Sequence, residues 1–173
     1  MYKSGVLVLL LLSFTLVTCK QISKEDSSLM KEIDLWKNYK IGERLEVPFP
    51  KIPVVKNTKY SSSVLFEESY VEHKFHTFSV NRIYNKDLKD RNAWEKFMQN
   101  EVLAFKAVEQ KEFLLWNQKG IISKVQEGAL CGYSFNMIVE NDYILNVVLR
   151  SVKGCPSEDV FLHFLSKLKN NKK

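Results

Sequence analysis

The sequence has few of the residues from which most enzyme active sites are built. Its 6 glycines are isolated from one another, so there is no glycine-rich loop that could cradle a phosphate group. Its 3 histidines, His73, His76 and His163, form no recognisable pattern with a cysteine, and there is no Gly-x-Ser-x-Gly turn for a serine nucleophile. None of the 3 cysteines has the Cys-x-x-Cys spacing of a redox centre. The sequence therefore predicts no catalytic residue, no metal site and no cofactor.

The residues that could still suggest such chemistry have simpler interpretations. His73 and His76 fall in a predicted strand, where a separation of three places side chains on opposite faces, so they are not expected to share a metal. Glu67 and Glu68 are adjacent and would face opposite ways for the same reason. Together with Glu72 they are interpreted as solvated strand charges rather than as an acid and base pair.

The first 19 residues are the most informative part of the chain. Lys3 gives a positive start, residues 5–17 are almost entirely apolar, and Leu16-Val17-Thr18-Cys19 leads into polar sequence. A charged start, a short apolar core and a cleavage zone are typical of a secretory signal peptide. The core is shorter than the roughly 20 apolar residues that span a bilayer. The ending resembles a bacterial lipobox, which implies removal of residues 1–18 and acylation of Cys19.

Two other interpretations of this segment stay open, an ordinary signal peptide cut nearby and an uncleaved anchor. Thr18 differs from the Gly, Ala or Ser that usually precedes a lipobox cysteine, but no small-x-small cleavage site is present, and the short core argues against an anchor. The lipobox interpretation places the protein in the cell envelope, held on a membrane by lipid. Lys20 stands where an Asp is associated with inner-membrane retention, which favours the outer membrane in a diderm host.

The remainder of the chain has the length of one domain. Residues 19–28 are interpreted as the lipidated cysteine and a polar tether, and residues 29–173 as a single domain. The formal net charge of +6 is moderate, and the lysine-rich end at residues 167–173 is typical of a solvated helix terminus. Nucleic acid is not expected as a partner.

Cys131 and Cys155 form an even pair in an oxidising compartment. A predicted β-hairpin with a two-residue turn at Asn141-Asp142 pairs Cys131 near Val152, only a few residues before Cys155. A disulfide is therefore possible if the two Cα atoms come within about 7 Å. The alternative is one buried thiol and one loop thiol.

Apolar spacing predicts three helices. Residues 28–38 form the first, and the Trp94–Val108 stripe forms the second, opened by Asn92 with Glu95 in a capping-box arrangement. The third begins at Pro156-Ser157, where the serine can cap it.

Between these helices the sequence predicts mainly strands. They cover residues 45–50, 64–68, 70–84, 113–117, 121–126, 133–139 and 143–149, with a loop through Pro53 and Asn57 and a turn at Lys119-Gly120. Residues 64–84 are interpreted as two strands or as one long strand with a bulge. Within them Tyr70, Phe78 and Val80 are expected on one face, and Val71 and Phe75 on the other.

In this order the elements resemble the PsbP-like family of small α/β domains, which includes DcrB-type bacterial lipoproteins. The resemblance covers most of residues 45–169 and lies in the stretches Leu45–Pro53, Trp94–Val108, Asp142–Val147 and Phe161–Leu168. It implies an α+β fold with a central antiparallel sheet flanked by helices. It also implies an accessory or binding role without a catalytic set, and it assigns no functional residue.

These observations favour a lipid-anchored, non-enzymatic envelope protein that binds another protein at the membrane surface. An immunity protein against an exported toxin is one concrete form, by analogy with other small envelope lipoproteins. The aromatic residues that could stand at such an interface are Tyr60, Tyr70, Tyr84 and Trp116. The alternative is a small-molecule carrier or sensor, which would need an apolar pocket of about 300 Å³ or more between the sheet and the Trp94–Val108 helix.

Overall fold

A computed structural model describes residues 22–103 and 107–171 of the chain. The predicted signal peptide, Cys19 and Phe105 lie outside the described residues. Among the described residues, no helix combines the length and the apolar content needed to cross a bilayer.

Within the described residues the chain forms three α-helices, one π-helical turn and ten strands. The helices are α1 (Lys24–Leu35), α2 (Arg91–Phe97) and α3 (Glu158–Ser166), and the π-helical turn is Met98–Val102. The strands are β1 (Lys37–Ile41), β2 (Leu45–Phe49), β3 (Val54–Lys59), β4 (Val64–His73), β5 (His76–Asn85), β6 (Ala107–Leu115), β7 (Gln118–Glu127), β8 (Leu130–Val139), β9 (Tyr143–Ser151) and β10 (Lys169–Asn170).

Seven of the strands form the main sheet, in the order β3-β4-β5-β9-β8-β7-β6, and every neighbouring pair is antiparallel. A smaller sheet has the order β1-β2-β10. The predicted α+β class, with antiparallel sheet and helices, is confirmed.

A hydrophobic core lies on each face of the main sheet, because successive strand residues point to opposite faces. The first core joins the sheet to α1, α3 and β2 and includes Ile33, Val47, Phe78, Phe135, Leu145 and Phe161. The second joins the other face to α2 and the π-helical turn and includes Trp94, Met98, Ile138 and Ile144.

The sheet has two ends, which we name by the residues near them. The Phe75 end holds the β4–β5 turn, the β7–β8 turn and the loop after β9. The Arg82 end holds the β8–β9 loop and is joined by the β1–β2 turn, whose Gly42 packs on Arg82.

Helix α1 begins earlier than the sequence predicted. The side chain of Ser23 accepts a hydrogen bond from the Asp26 N–H and caps the helix at Lys24, and Leu29 and Ile33 face the core. Residues 24–28, predicted as part of the tether, are therefore helical. The helix ends at Leu35, so the predicted extent to residue 38 is wrong, and the next residues form β1.

Two acidic side chains of α1 tie it to the rest of the domain. The contacts are Glu32 Oε2 with His73 Nε2 at 2.8 Å, Glu32 Oε1 with Lys74 Nζ at 2.5 Å, Asp34 Oδ1 with His163 Nε2 at 3.0 Å and Asp34 Oδ1 with Lys167 Nζ at 2.6 Å. Hydrogen bonds from Lys74 and His73 lower the pKa of the Glu32 carboxyl. Helix α1 is thereby held against both the β4–β5 turn and α3.

Residues 64–85 form a hairpin, which corrects the predicted faces. Lys74 adopts a φ of 55° at the turn, and Val71 pairs with Phe78 across it. Val71 therefore shares the face of Phe78, from which Tyr70 points away, contrary to the prediction. The same hairpin sets His73 directly opposite His76, so the expectation that they point to opposite faces is also wrong.

The predicted Trp94–Val108 helix is much shorter in the structure. Asp90, not Asn92, caps it by accepting from the Ala93 N–H at 2.9 Å. The α-helix ends at Phe97 and a π-helical turn follows, while Val108 belongs to β6. Apolar residues spaced for a helix continue into a strand here, and apolar spacing alone does not separate the two.

Three shorter elements also differ from the prediction. Residues 54–59, predicted as loop, form the exposed edge strand β3. The β6–β7 turn lies at Trp116-Asn117, both with positive φ, and not at Lys119-Gly120. At the predicted solvated helix terminus, Lys169 and Asn170 pair with β2 instead. None of these segments shows an alternating apolar pattern, so strand pairing could not be predicted for them from apolar spacing.

The β8–β9 hairpin has a three-residue loop, Glu140–Asp142, rather than the predicted two-residue turn. Val139 therefore pairs with Tyr143, and Cys131 pairs with Ser151 instead of lying near Val152. The chain then returns towards β8, and Cys131 and Cys155 form a disulfide with their Cα atoms 4.8 Å apart.

We expect the disulfide to stabilise the fold measurably. It closes a loop with a sequence separation of 24, for which chain-entropy arguments give about 3 kcal/mol. Reduction should therefore lower the midpoint of thermal unfolding. The matched control is the Cys131→Ser/Cys155→Ser double variant, whose midpoint should be low with or without reductant. Equal midpoints for the oxidised protein and the double variant would contradict this expectation.

Candidate functional site

A concave site lies at the Arg82 end. It is a cavity of about 350 Å³ between the β1–β2 turn, the ends of β5 and β9, and the β8–β9 loop. We call it the Arg82 cavity. The lining residues used below are Gly42, Glu43, Arg44, Arg82, Tyr84, Glu140, Asp142 and Tyr143.

Arg82 and its cross-strand partner Glu67 form the most buried ion pair of the site. The two residues are directly opposite in the β4–β5 register, with Arg82 Nη2 2.6 Å from Glu67 Oε2. Their side chains are only 17% and 25% exposed, respectively. Removal of such charges from water is costly unless they are paired. Arg82 Nε is buried without a hydrogen-bond partner in the structure, so one donor of the guanidinium is unused.

Gly42 allows the β1–β2 turn to lie directly on the Arg82 guanidinium. Its φ is +63°, and a Cβ at this position would stand 1.8 Å from Arg82 Nη1. Any side chain at position 42 would therefore be strained in its backbone and would displace the arginine. The turn and the arginine are packed as one unit.

Two tyrosines form one wall of the cavity. The rings of Tyr84 and Tyr143 have centroids 5.5 Å apart, and Arg82 Cζ is 5.6 Å from the Tyr84 ring centroid, within cation–π range. Burial raises the pKa of Tyr84 to about 12 and also raises the pKa of Tyr143. Both hydroxyls are therefore neutral at physiological pH, and they are suited to hydrogen bonding rather than to proton abstraction.

The mouth of the cavity carries charges of both signs. Arg44 Nη1 donates to Glu140 Oε2 at 3.1 Å, between side chains that are each about half exposed. Glu43 and Asp142 add two carboxylates to the lining. The site thus offers guanidinium and hydroxyl donors beside carboxylate acceptors, which suits a polar ligand.

A second cleft, of about 550 Å³, lies between α2 with its π-helical turn and the β6–β7 hairpin. Its rim carries the ion pairs Arg91–Glu95 and Lys119–Glu112. Beneath α2, Trp94 is almost fully buried in the second core. Trp94 therefore fills the space directly beneath α2, whereas the open cleft beside the helix is lined by polar residues together with Met98 and Ile121, and its exposed lining is more apolar than polar. This cleft is larger than the roughly 300 Å³ that the carrier hypothesis requires.

The residues that the sequence singled out do not meet at one site. Cys131 and Cys155 lie at the Phe75 end, away from the cavity, and His163 contacts Asp34. His76 is half-buried, and desolvation lowers its pKa. Across residues 22–103 and 107–171, no three His, Cys, Asp or Glu side chains are grouped so that they could hold a metal ion.

Sequence reasoning missed the central residues of the Arg82 cavity. Glu67 was interpreted as a solvated strand charge, but it is the partner of Arg82. Only the position of the β4–β5 turn brings the two residues opposite each other, and that turn has no glycine or proline to mark it. Tyr84 was noted as a candidate interface aromatic and does line the cavity. Trp116 instead packs against the first core and donates its indole N–H to the Leu168 carbonyl.

Comparisons of the chain with protein-family models, with curated proteins and with solved structures give no match.

We expect Arg82 and Glu67 to be energetically coupled. Arg82→Met or Glu67→Gln alone should lower the free energy of unfolding by about 1–3 kcal/mol, because each leaves a partly buried group without its partner. The double variant should lose clearly less than the sum of the two single changes. Denaturant unfolding of the four proteins measures the coupling. Additive losses would show that the pair is not coupled.

Proposed function

We propose that this protein is a lipid-anchored, non-enzymatic component of the cell envelope that binds another protein through the Arg82 cavity. The observation that carries the proposal is the position of the cavity at the opposite end of the sheet from the start of α1. The predicted acylation site, Cys19, precedes the cap of α1 at Ser23 by only four residues.

Contacts of α1 define this arrangement. The charges of Asp26 and Glu25, in its first turn, act on His76 at the Phe75 end of the sheet. Near its last turn, Asp34 contacts α3, and the chain after α3 reaches the Arg82 end, where the Asn171 N–H donates to the Arg44 carbonyl. Near the last turn of α1, Glu32 contacts His73 and Lys74, and Trp36 packs on His73, so α1 lies at the Phe75 end and β1 continues from it towards the cavity. An anchor on Cys19 would hold the Phe75 end at the membrane and leave the cavity facing away from it.

The chemistry of the cavity supports a protein partner. Tyrosine and arginine are the residues that most often dominate binding energy at protein interfaces, and Arg82, Tyr84 and Tyr143 stand together here. The Arg44 guanidinium and the carboxylates of Glu43 and Asp142 at the mouth can bind the polar side chains and backbone groups of a partner. The neutral tyrosines and the lack of a histidine in the lining support a binding role rather than catalysis.

A PsbP-like, DcrB-type relationship is part of the proposal. An antiparallel sheet with helices, the β2 strand with its Phe-Pro ending and the Phe161–Leu168 segment support it. Lys20 favours the outer membrane as the location. An immunity-type protein that captures an exported toxin would fit such an anchored domain with an outward-facing cavity.

The anchor is tested by intact mass and detergent partitioning of the protein from its native membrane. We expect acyl mass on Cys19 and partitioning into the detergent phase, both lost in Cys19→Ala. Cys155→Ser serves as a control that removes a different cysteine and should keep the lipid. A soluble mature protein without acyl mass would refute the anchoring.

The binding site is tested by photo-crosslinking in cells. A photoreactive residue in place of Glu43, at the mouth of the cavity, should form a discrete protein adduct that disappears when Arg82→Met is added. The matched control carries the photoreactive residue at Leu114, which is 66% exposed on edge strand β6. Absence of an adduct at position 43, or an adduct unaffected by Arg82→Met, would refute binding through this cavity.

A further inference from the structure

An exposed apolar cluster lies at the Phe75 end, where α1 begins. Three loops contribute to it: Phe75 from the β4–β5 turn, Leu130 from the start of β8, and Val152 from the loop after β9. Their exposed fractions are 53%, 37% and 63%. Single exposed apolar residues are ordinary, but a group of them at one end of a domain often marks a contact surface.

Contacts among these segments fix the positions of the three apolar residues. The Val152 N–H donates to the Phe75 carbonyl at 3.2 Å. Lys153 places its Nζ 4.6 Å from the centroid of the Phe75 ring. The Cys131–Cys155 disulfide holds the loop after β9 beside the start of β8. The three apolar side chains are therefore presented together.

Charged residues surround the cluster. Lys74 and Lys153 flank Phe75, and Lys74 also pairs with Glu32. Glu25 and Asp26 lie in the first turn of α1 at the same end. Because charges of both signs are present, electrostatic attraction to an anionic lipid surface is limited. The main contribution of the cluster to membrane binding would be insertion of its apolar side chains.

The length of chain before α1 determines what can reach this cluster. Ser23 follows Cys19 by four positions, and a fully extended chain over that step spans at most about 14 Å. If Cys19 carries acyl chains in a bilayer, the start of α1 cannot move further than this from the membrane surface. The Phe75 end is then the part of the domain that meets the lipid headgroups.

We propose that Phe75, Leu130 and Val152 insert into the interfacial region of the membrane that holds Cys19. The inference rests on the proposed lipidation, which it extends by giving the anchored domain a fixed orientation. Shallow insertion of apolar side chains next to a covalent anchor adds a second membrane contact. The domain would then stand upright on the bilayer, with the Arg82 cavity presented to a partner.

The experiment attaches the full mature chain, residues 19–173 with its disulfide oxidised, to vesicles through a thiol-reactive lipid on Cys19. The vesicles are phosphatidylcholine with a brominated phosphatidylcholine as quencher. A tryptophan replaces Phe75 in one variant and Val152 in a second, and the matched control is Leu114→Trp. All three positions are exposed, so the variants should fold, and the parent fluorescence is subtracted.

We expect the added tryptophans at positions 75 and 152 to be quenched severalfold more than the one at position 114, with blue-shifted emission. Quenching that is weak at all three positions, or equal at all three, would overturn the proposed orientation. The chemical anchor replaces cellular acylation, so this result is independent of whether Cys19 is lipidated in the cell. Failure of the cellular lipidation would instead appear in the mass of the native protein.

Discussion

The register of the β8–β9 hairpin is the constraint on which the rest of the structure depends. Its three-residue loop pairs Val139 with Tyr143, so each odd-numbered residue of β8 pairs with an odd-numbered residue of β9. The buried residues Phe135, Met137, Leu145 and Val147 all face the first core as a result. A loop one residue shorter would pair odd with even positions and turn one of the two apolar rows to the opposite face. The sequence pattern itself therefore excludes the two-residue turn that its Asn-Asp pair indicated.

The neighbouring strands extend this register across the sheet. On the face opposite the first core, Asn81 donates to Asn146 and Asn146 donates to Asn136, each at 2.7 Å, so amides of three adjacent strands form a ladder. A slip of any of these strands would break the ladder and leave buried amides without partners, at a cost that exceeds the small net gain from each bond. On the other face the same alignment brings Arg82 to Glu67. The candidate site is therefore a consequence of strand register rather than of any local motif.

This dependence explains which features could be predicted from the sequence. Strands β8 and β9 were predicted because their odd-numbered residues are regularly apolar, and α3 was predicted because Ser157 caps a continuous apolar stripe. The β4–β5 turn was not, since Lys74 and Phe75 are not turn residues and Lys74 is held at positive φ by the pairing of the strands on either side. Because the turn was missed, the Glu67–Arg82 pair and the opposition of His73 and His76 were missed with it. Apolar periodicity predicts which residues of a strand are buried, but it does not specify which residues of two strands lie opposite each other.

The two ends of the sheet carry opposite kinds of surface, and this asymmetry links the fold to the proposed function. The Phe75 end presents exposed apolar side chains, whereas the Arg82 end presents a cavity of arginines, tyrosines and carboxylates. Helix α1 is fixed at the Phe75 end, by Glu32 on the β4–β5 turn and by Asp34 on α3. Under the proposed acylation of Cys19, the short connection to α1 would have little reach, and the attachments of α1 would fix the orientation of the whole sheet on the membrane. A domain on a long flexible tether would need no such attachments, since its orientation would be free. With this short connection and fixed helix, the proposed anchor would hold the Arg82 cavity away from the membrane, where a partner could reach it.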